Sequence, residues 1–103
     1  MYTLIIYVPE DHLEVVKEAL FDAGAGMIGN YSKCCYTTQG YGQFMPNQAA
    51  NPNIGSSNVL EVLPEAKLEI LCPFETLKAV EQAIKIAHPY EEPVYYFIKH
   101  FSV

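Results

Sequence analysis

Residues 2–31 read YTLIIYVPEDHLEVVKEALFDAGAGMIGNY, and residues 67–95 read KLEILCPFETLKAVEQAIKIAHPYEEPVY. The second stretch is a worn copy of the first. Laid over each other, Pro9 falls on Pro73, Leu13 on Leu77, Val16 on Val80, Ala19 on Ala83, Ala23 on Ala87 and Tyr31 on Tyr95. Each copy is an apolar run, a proline, an amphipathic stretch, a break and a second apolar run. That pattern is strand–helix–strand, written twice.

Residues 2–8 are β-branched and aromatic without a breaker, which predicts a central strand ended by Pro9. Glu10 and Asp11 suit the positive end of a helix dipole. Leu13, Val16, Ala19, Leu20 and Ala23 recur at three- and four-residue spacing and form one apolar stripe. Gly24 and Gly26 stop that helix. In the second copy Leu77, Val80, Ile84 and Ala87 make the stripe, and Pro89 ends the helix. Further strands are expected at 31–38, 58–63, 67–72 and 93–101. Residues 39–57, QGYGQFMPNQAANPNIGSS, predict a long loop, either functional or a connector. Phe44, Met45 and Ile54 argue that part of it packs, for instance on a neighbouring subunit.

The order βαββαβ predicts an α+β, ferredoxin-like sandwich over residues 1–103: an antiparallel sheet with two helices on one face. The other face is uncovered and would carry Tyr2, Tyr7, Tyr36, Tyr95 or Tyr96 in some combination. Such an aromatic face predicts burial against another chain, hence a homo-oligomer.

Twelve acidic residues stand against six basic ones, none an arginine, for a net charge of −6. Little counterion release is available on DNA or RNA, and the planar group best suited to phosphate is missing. Nucleic acid is therefore excluded as an expected ligand. No apolar run approaches the roughly 20 residues a membrane helix needs, and MYTLIIYVPED lacks the features of a signal peptide. A cytoplasmic location is the expectation. Cys34, Cys35 and Cys72 are an odd number and argue against a disulfide framework.

The densest polar group is His88-Pro89-Tyr90-Glu91-Glu92-Pro93. His88, Glu91 and Glu92 are candidate ligands of a divalent cation such as Zn²⁺, Mn²⁺ or Fe²⁺, with Cys35 as a possible thiolate. The competing reading has His88 capping the helix C-terminus and the glutamates at a subunit contact. Cys34 and Cys35, adjacent in a strand, would point to opposite faces, and a strand cysteine is also a small hydrophobe. Cys72 reads as packing, and His12 as solvated. Gly24, Gly26 and Gly29, with Asn30 and Tyr31, follow a helix rather than precede one, so they do not form a phosphate cradle. By the repeat, this segment is equivalent to His88–Pro93. Both are expected at the same end of the sheet, in one cleft with the 39–57 loop. That cleft would be lined by Gly40, Gly42, Phe44, Pro46, Gly55 and Tyr90. No nucleophile signature is present.

Two stretches resemble a known family: residues 24–55, through Gly24, Gly26, Ile28, Gly29, Tyr31, Gly40, Gly42, Phe44, Pro46, Pro52, Ile54 and Gly55, and residues 88–93, HPYEEP. Both resemble the inserted middle domain of the Nif-three-like family, also called GTP cyclohydrolase type-2 homologues. The resemblance implies a stand-alone module similar to PII and CutA proteins: ferredoxin-like, trimeric, regulatory or cation-associated. The outer domain that carries the family's dimetal residues has no counterpart in this sequence. The expectation is a non-enzymatic oligomeric module binding a small ligand or divalent cation between subunits. The alternatives are a structural or protein-interaction domain that docks a partner through the 39–57 loop, and an accessory subunit of a metal-dependent hydrolase.

Overall fold

The computed structural model describes residues 1–101. Strand β1 (Tyr2–Pro9) leads through a short 3-10 turn at Glu10–His12 into helix α1 (Leu13–Asp22). Strands β2 (Tyr36–Phe44) and β3 (Glu61–Cys72) follow. A second 3-10 turn at Phe74–Thr76 opens helix α2 (Leu77–Ala87), and β4 (Tyr95–Lys99) ends the described sheet. The sheet order is β2-β3-β1-β4, every neighbouring pair antiparallel. This is the ferredoxin-like α+β plan that the repeat predicts.

Residues directly opposite in a ladder share a face. Leu4, Ile6 and Val8 of β1 stand opposite Ile70, Leu68 and Ala66 of β3, and all six are buried under the helices. Val16 and Leu20 of α1 and Val80 and Ile84 of α2 close the core, each fully buried. Each such side chain contributes about 1.5–3 kcal/mol on leaving water. Cys72 belongs to this core, and burial pushes its thiol up to about 11, so it packs as a small apolar group.

The two helices end differently. Gly24 takes φ 109, with Ala25 N–H donating to Leu20 C=O (3.1 Å) and Gly24 N–H to Phe21 C=O (3.0 Å). That is a Schellman cap on α1. Helix α2 stops because His88 precedes Pro89 and is forced extended, at φ −74 and ψ 134.

Three strand expectations shift. Of the run 31–38 only 36–38 is strand: Tyr31 makes only an isolated bridge with Ile28, and Lys33 sits at φ 58, which breaks the extended chain. Cys34 and Cys35 therefore lie in irregular backbone before β2. The glycine-rich 39–44 segment, expected as loop, is strand, because it pairs with residues 61–66 of β3. The segments 58–63 and 67–72 merge into one strand that includes Pro64. Beyond Glu65, β3 has left β1 behind and keeps β2 as its neighbour, so Pro64 sits where an edge tolerates it.

The open face carries Thr3, Ile5 and Tyr7 with Tyr36, Lys67, Glu69, Tyr96 and Ile98 by register. Tyr36, Tyr96 and Ile98 are exposed. Tyr2 and Tyr95 are on the helix side instead. Tyr2 packs towards Phe74, with ring centroids 6.1 Å apart, and the Tyr95 hydroxyl donates to Glu81 Oε2 at 2.7 Å. Among the described residues no helix is long and apolar enough to cross a membrane.

Candidate functional site

The segment His88–Pro93 leaves α2 beside the C-terminal end of β1. The buried His88 ring spans two backbone groups: Nε2 lies 2.7 Å from Tyr7 O, and Nδ1 accepts from Tyr90 N–H at 3.1 Å. A carbonyl can only accept, so the proton is assigned to Nε2, and Nδ1 offers its lone pair. Burial lowers the His88 pKa, against smaller raising effects of Tyr7 and Glu65, which favours this neutral tautomer. His88 is thus an internal bracket, with no ring nitrogen left for a metal.

That bracket aims Tyr90 at the sheet. Its hydroxyl donates to Glu65 Oε2 at 2.5 Å, and its ring meets Phe44 edge-on at 5.2 Å between centroids. Burial, then the Glu65 carboxylate, pushes the Tyr90 pKa well above that of an ordinary phenol. A Cβ on Gly42 would run into the Glu65 carboxylate, which lies across that glycine. The carboxylate end of Glu65 thus occupies the space that a side chain at residue 42 would fill.

The rest of the predicted 39–57 loop folds back over this assembly. Asn58 N–H donates to Pro46 C=O at 2.6 Å and closes the loop base. The Asn53 amide donates to Pro89 C=O at 2.9 Å, and Asn51 N–H to Glu91 Oε1 at 3.1 Å. Gly55, at φ 91, brings the chain against Phe44 and Pro46. Between loop, β2–β3 ribbon and His88–Pro93 lies a cavity of about 330 Å³. Phe44, Met45, Pro46, Ile54 and Val94 supply apolar walls; Glu65, Glu91 and Glu92 supply carboxylates; Tyr7 and Tyr90 supply hydroxyls. Among the described residues no lysine, arginine or histidine lines it.

The expected single cleft is only half assembled. Gly42, Phe44, Pro46, Gly55 and Tyr90 gather here with Glu91 and Glu92. Gly40 lies beside them in a shallow depression next to Tyr41 and Lys67. Gly24, Gly26, Gly29, Asn30 and Tyr31 do not join. Gly26 N–H donates to Leu71 C=O at 2.8 Å and Gly26 C=O accepts from Cys34 N–H at 2.9 Å, which fixes that connection at the Thr3–Leu71 end of the sheet. The two equivalent connections sit at opposite ends because β1 and β3 run antiparallel, so each helix returns to the start of its own strand.

The same antiparallelism separates Cys35, which precedes β2 at the far end and packs against the core, from Glu91 and Glu92. Among the described residues no three His, Cys, Asp or Glu side chains group as a metal site requires. The expected set of His88, Glu91, Glu92 and Cys35 is therefore not assembled. His12, expected in solvent, turns its Nδ1 inward without a partner among the described residues. Sequence reasoning missed Tyr7, Glu65, Asn51 and Asn53. The signal for Glu65 was the alternation Glu65-Ala66-Lys67-Leu68-Glu69-Ile70, which runs upstream of the strand expected at 67–72.

No protein-family profile matches the chain. Curated relatives do. It is 45% identical over 91 residues to a Mycobacterium leprae protein and 47% identical over 91 residues to one from Listeria innocua, each named a GTP cyclohydrolase 1 type 2 homolog. These matches cover 88% and 87% of this chain. Among solved structures, a Bacillus cereus protein related to NIF3 superposes with TM-score 0.78 and 37% identity over 94% of this chain. In sequence and fold the chain is similar to the NIF3-related GTP cyclohydrolase 1 type 2 homologs. It spans 24% of the length of those relatives, so it corresponds to one segment of them. CutA1 from Pyrococcus horikoshii superposes with TM-score 0.68 over 100% of this chain and 86% of its own, at 17% identity. That likeness shows a shared CutA-like fold for this NIF3-related segment.

Proposed function

We propose that this chain is a non-enzymatic binding module that takes a small ligand in the cleft between its 45–55 loop and His88–Pro93. The observation that carries the reading is the cleft's construction. A buried histidine, a tyrosine–glutamate hydrogen bond and two asparagine contacts hold open a cavity of about 330 Å³, within the size range of small-molecule sites. Inside it the Tyr90 hydroxyl is spent on Glu65 and one Glu91 oxygen on Asn51, which supports binding rather than turnover.

The uncovered sheet face, with Tyr36, Tyr96 and Ile98 exposed, supports self-association of the module, a trimer being the expected form. The CutA-like fold is compatible with this.

A ligand that binds only the folded state raises its melting temperature. A thermal-shift series with a small-molecule library should give saturable rises that Phe44→Ala abolishes. If no compound shifts the wild type, the cleft is a structural fold-back and the reading falls. Sedimentation at micromolar concentration tests assembly, and an 11.6 kDa species alone would remove it.

The curated relatives favour a second reading. The chain matches 24% of proteins named cyclohydrolase homologs, and in this reading it acts as an accessory to a metal-dependent hydrolase. Co-purification with such a subunit is its test.

A further inference from the structure

We infer that the occupant of the cleft is a small organic cation with a flat apolar body, such as an aromatic amine or quaternary ammonium compound. The inference deepens the binding reading above and rests on it. Three features of the cavity carry it together.

The first is the sign of its lining. Among the described residues Glu65, Glu91 and Glu92 are its charged lining, with no lysine, arginine or histidine in the walls. An anion such as a nucleotide phosphate would enter against three carboxylates with no compensating donor of positive charge.

The second is the dispersal of those carboxylates. Glu65 is committed through Oε2 to Tyr90 and lies across Gly42, while Glu91 is committed through Oε1 to Asn51 on the opposite loop. They flank the cavity rather than converge. Among the described residues they do not form a three-ligand group for a bare metal ion. Dispersed carboxylates around an apolar space suit a cation whose charge is one part of a larger body.

The third is the aromatic and apolar wall. Tyr7, Phe44 and Tyr90 line the cavity, with Met45, Pro46 and Ile54 on the loop side. Ring faces attract cations, and tyrosine and phenylalanine are among the residues that do so. The walls bury the body of the ligand while the carboxylates at its margin hold the charge. Glu92, exposed and without a hydrogen-bond partner among the described residues, is the carboxylate available to an incoming group.

The test uses the intact chain and probes of one shape and three charges: benzyltrimethylammonium, benzyl alcohol and phenylacetate, titrated by calorimetry. The expected result is binding in the order cation, neutral, anion. Glu92→Gln should weaken the cation about two- to fivefold, the scale of one exposed ion pair, and leave benzyl alcohol unchanged. Added salt should weaken the cation alone. Equal binding of all three, with each lost in Phe44→Ala, would overturn the charge selection and leave the binding cleft standing. Tighter binding of phenylacetate would overturn it outright. Absence of binding by every probe would sink both this inference and the reading beneath it. Circular dichroism of each variant separates lost binding from lost folding.

Discussion

Gly24–Asn30 and His88–Pro93 descend from the same position in a repeated unit, yet one is a closed turn and the other builds a cleft. The first spends its polar backbone on the sheet. Gly26 continues the β2 edge by bonding Leu71, and Cys34 bonds back to Gly26, which draws the turn tight against the sheet. The second holds its backbone away from the sheet on a histidine side chain, His88, which leaves space beneath Tyr90. Glycine supplies a left-handed cap that turns the chain tightly; proline after His88 keeps it extended and lets it stand off. Equivalent positions in a duplicated fold thus diverge by which atoms satisfy the backbone.

The largest effect should come from removing the bracket. His88→Leu leaves the Tyr7 carbonyl and the Tyr90 amide without their buried partner. It should cost about 3 kcal/mol in urea unfolding and abolish cleft binding. A loss below about 1 kcal/mol would mean the His88–Pro93 segment is held by other contacts. The bracket also carries a pH signature. The His88 pKa is lowered in the folded state, so unfolding takes up a proton at intermediate pH. Its contribution is complete above the ordinary imidazole value near 6.5 and is lost as pH falls through the depressed folded value. Urea midpoints between pH 7.5 and 5 should fall in the wild type and fall less in His88→Gln. Parallel curves would show that His88 does not titrate with unfolding.

Gly26→Ala addresses the opposite connection. A Cβ there would sit 2.9 Å from the Cys34 carbonyl oxygen on a φ of 83, and backbone cannot yield as a side chain does. The expected loss is about 2 kcal/mol, with ligand affinity unchanged. Loss of affinity at constant stability would couple the two ends and break the contrast.

Tyr90→Phe removes the hydroxyl from Glu65 and keeps the ring on Phe44. Stability should fall by about 1–2 kcal/mol, the range for a hydrogen bond to a charged group that is partly solvated. A neutral outcome would make the Tyr90 ring contact the sole anchor.

Asn53→Ala should cost less than about 1 kcal/mol, since its bond to Pro89 is exposed. Amide exchange across 47–55 should nevertheless speed up. Unchanged exchange would show the loop held by its apolar residues alone.

The architecture was legible because its signals are local and repeated. Pro9 and Pro73 mark strand ends, and the stripes from Leu13 to Ala23 and from Leu77 to Ala87 mark two helices with one buried face each. Strand limits were less legible because pairing overrode propensity: Gly40 and Gly42 are poor strand formers, yet β3 recruits them into the ladder. The site was half legible. Phe44, Pro46, Gly55 and the HPYEEP segment stood out by composition. Which of them meet depends on strand direction, and that moved Gly24–Tyr31 and Cys35 to the far end. Glu65 and Tyr7 were hidden in ordinary strand alternation, since a residue that lines a cleft and one that faces solvent read alike in sequence.

The central claim is that one end of the sheet binds and the other does not. An amide chemical-shift titration of the intact chain with benzyltrimethylammonium tests it most directly. Shifts confined to residues 42–55, 65 and 88–94, with 24–35 silent, are the predicted result. Shifts centred on 24–35, or spread over neither segment, would contradict the account.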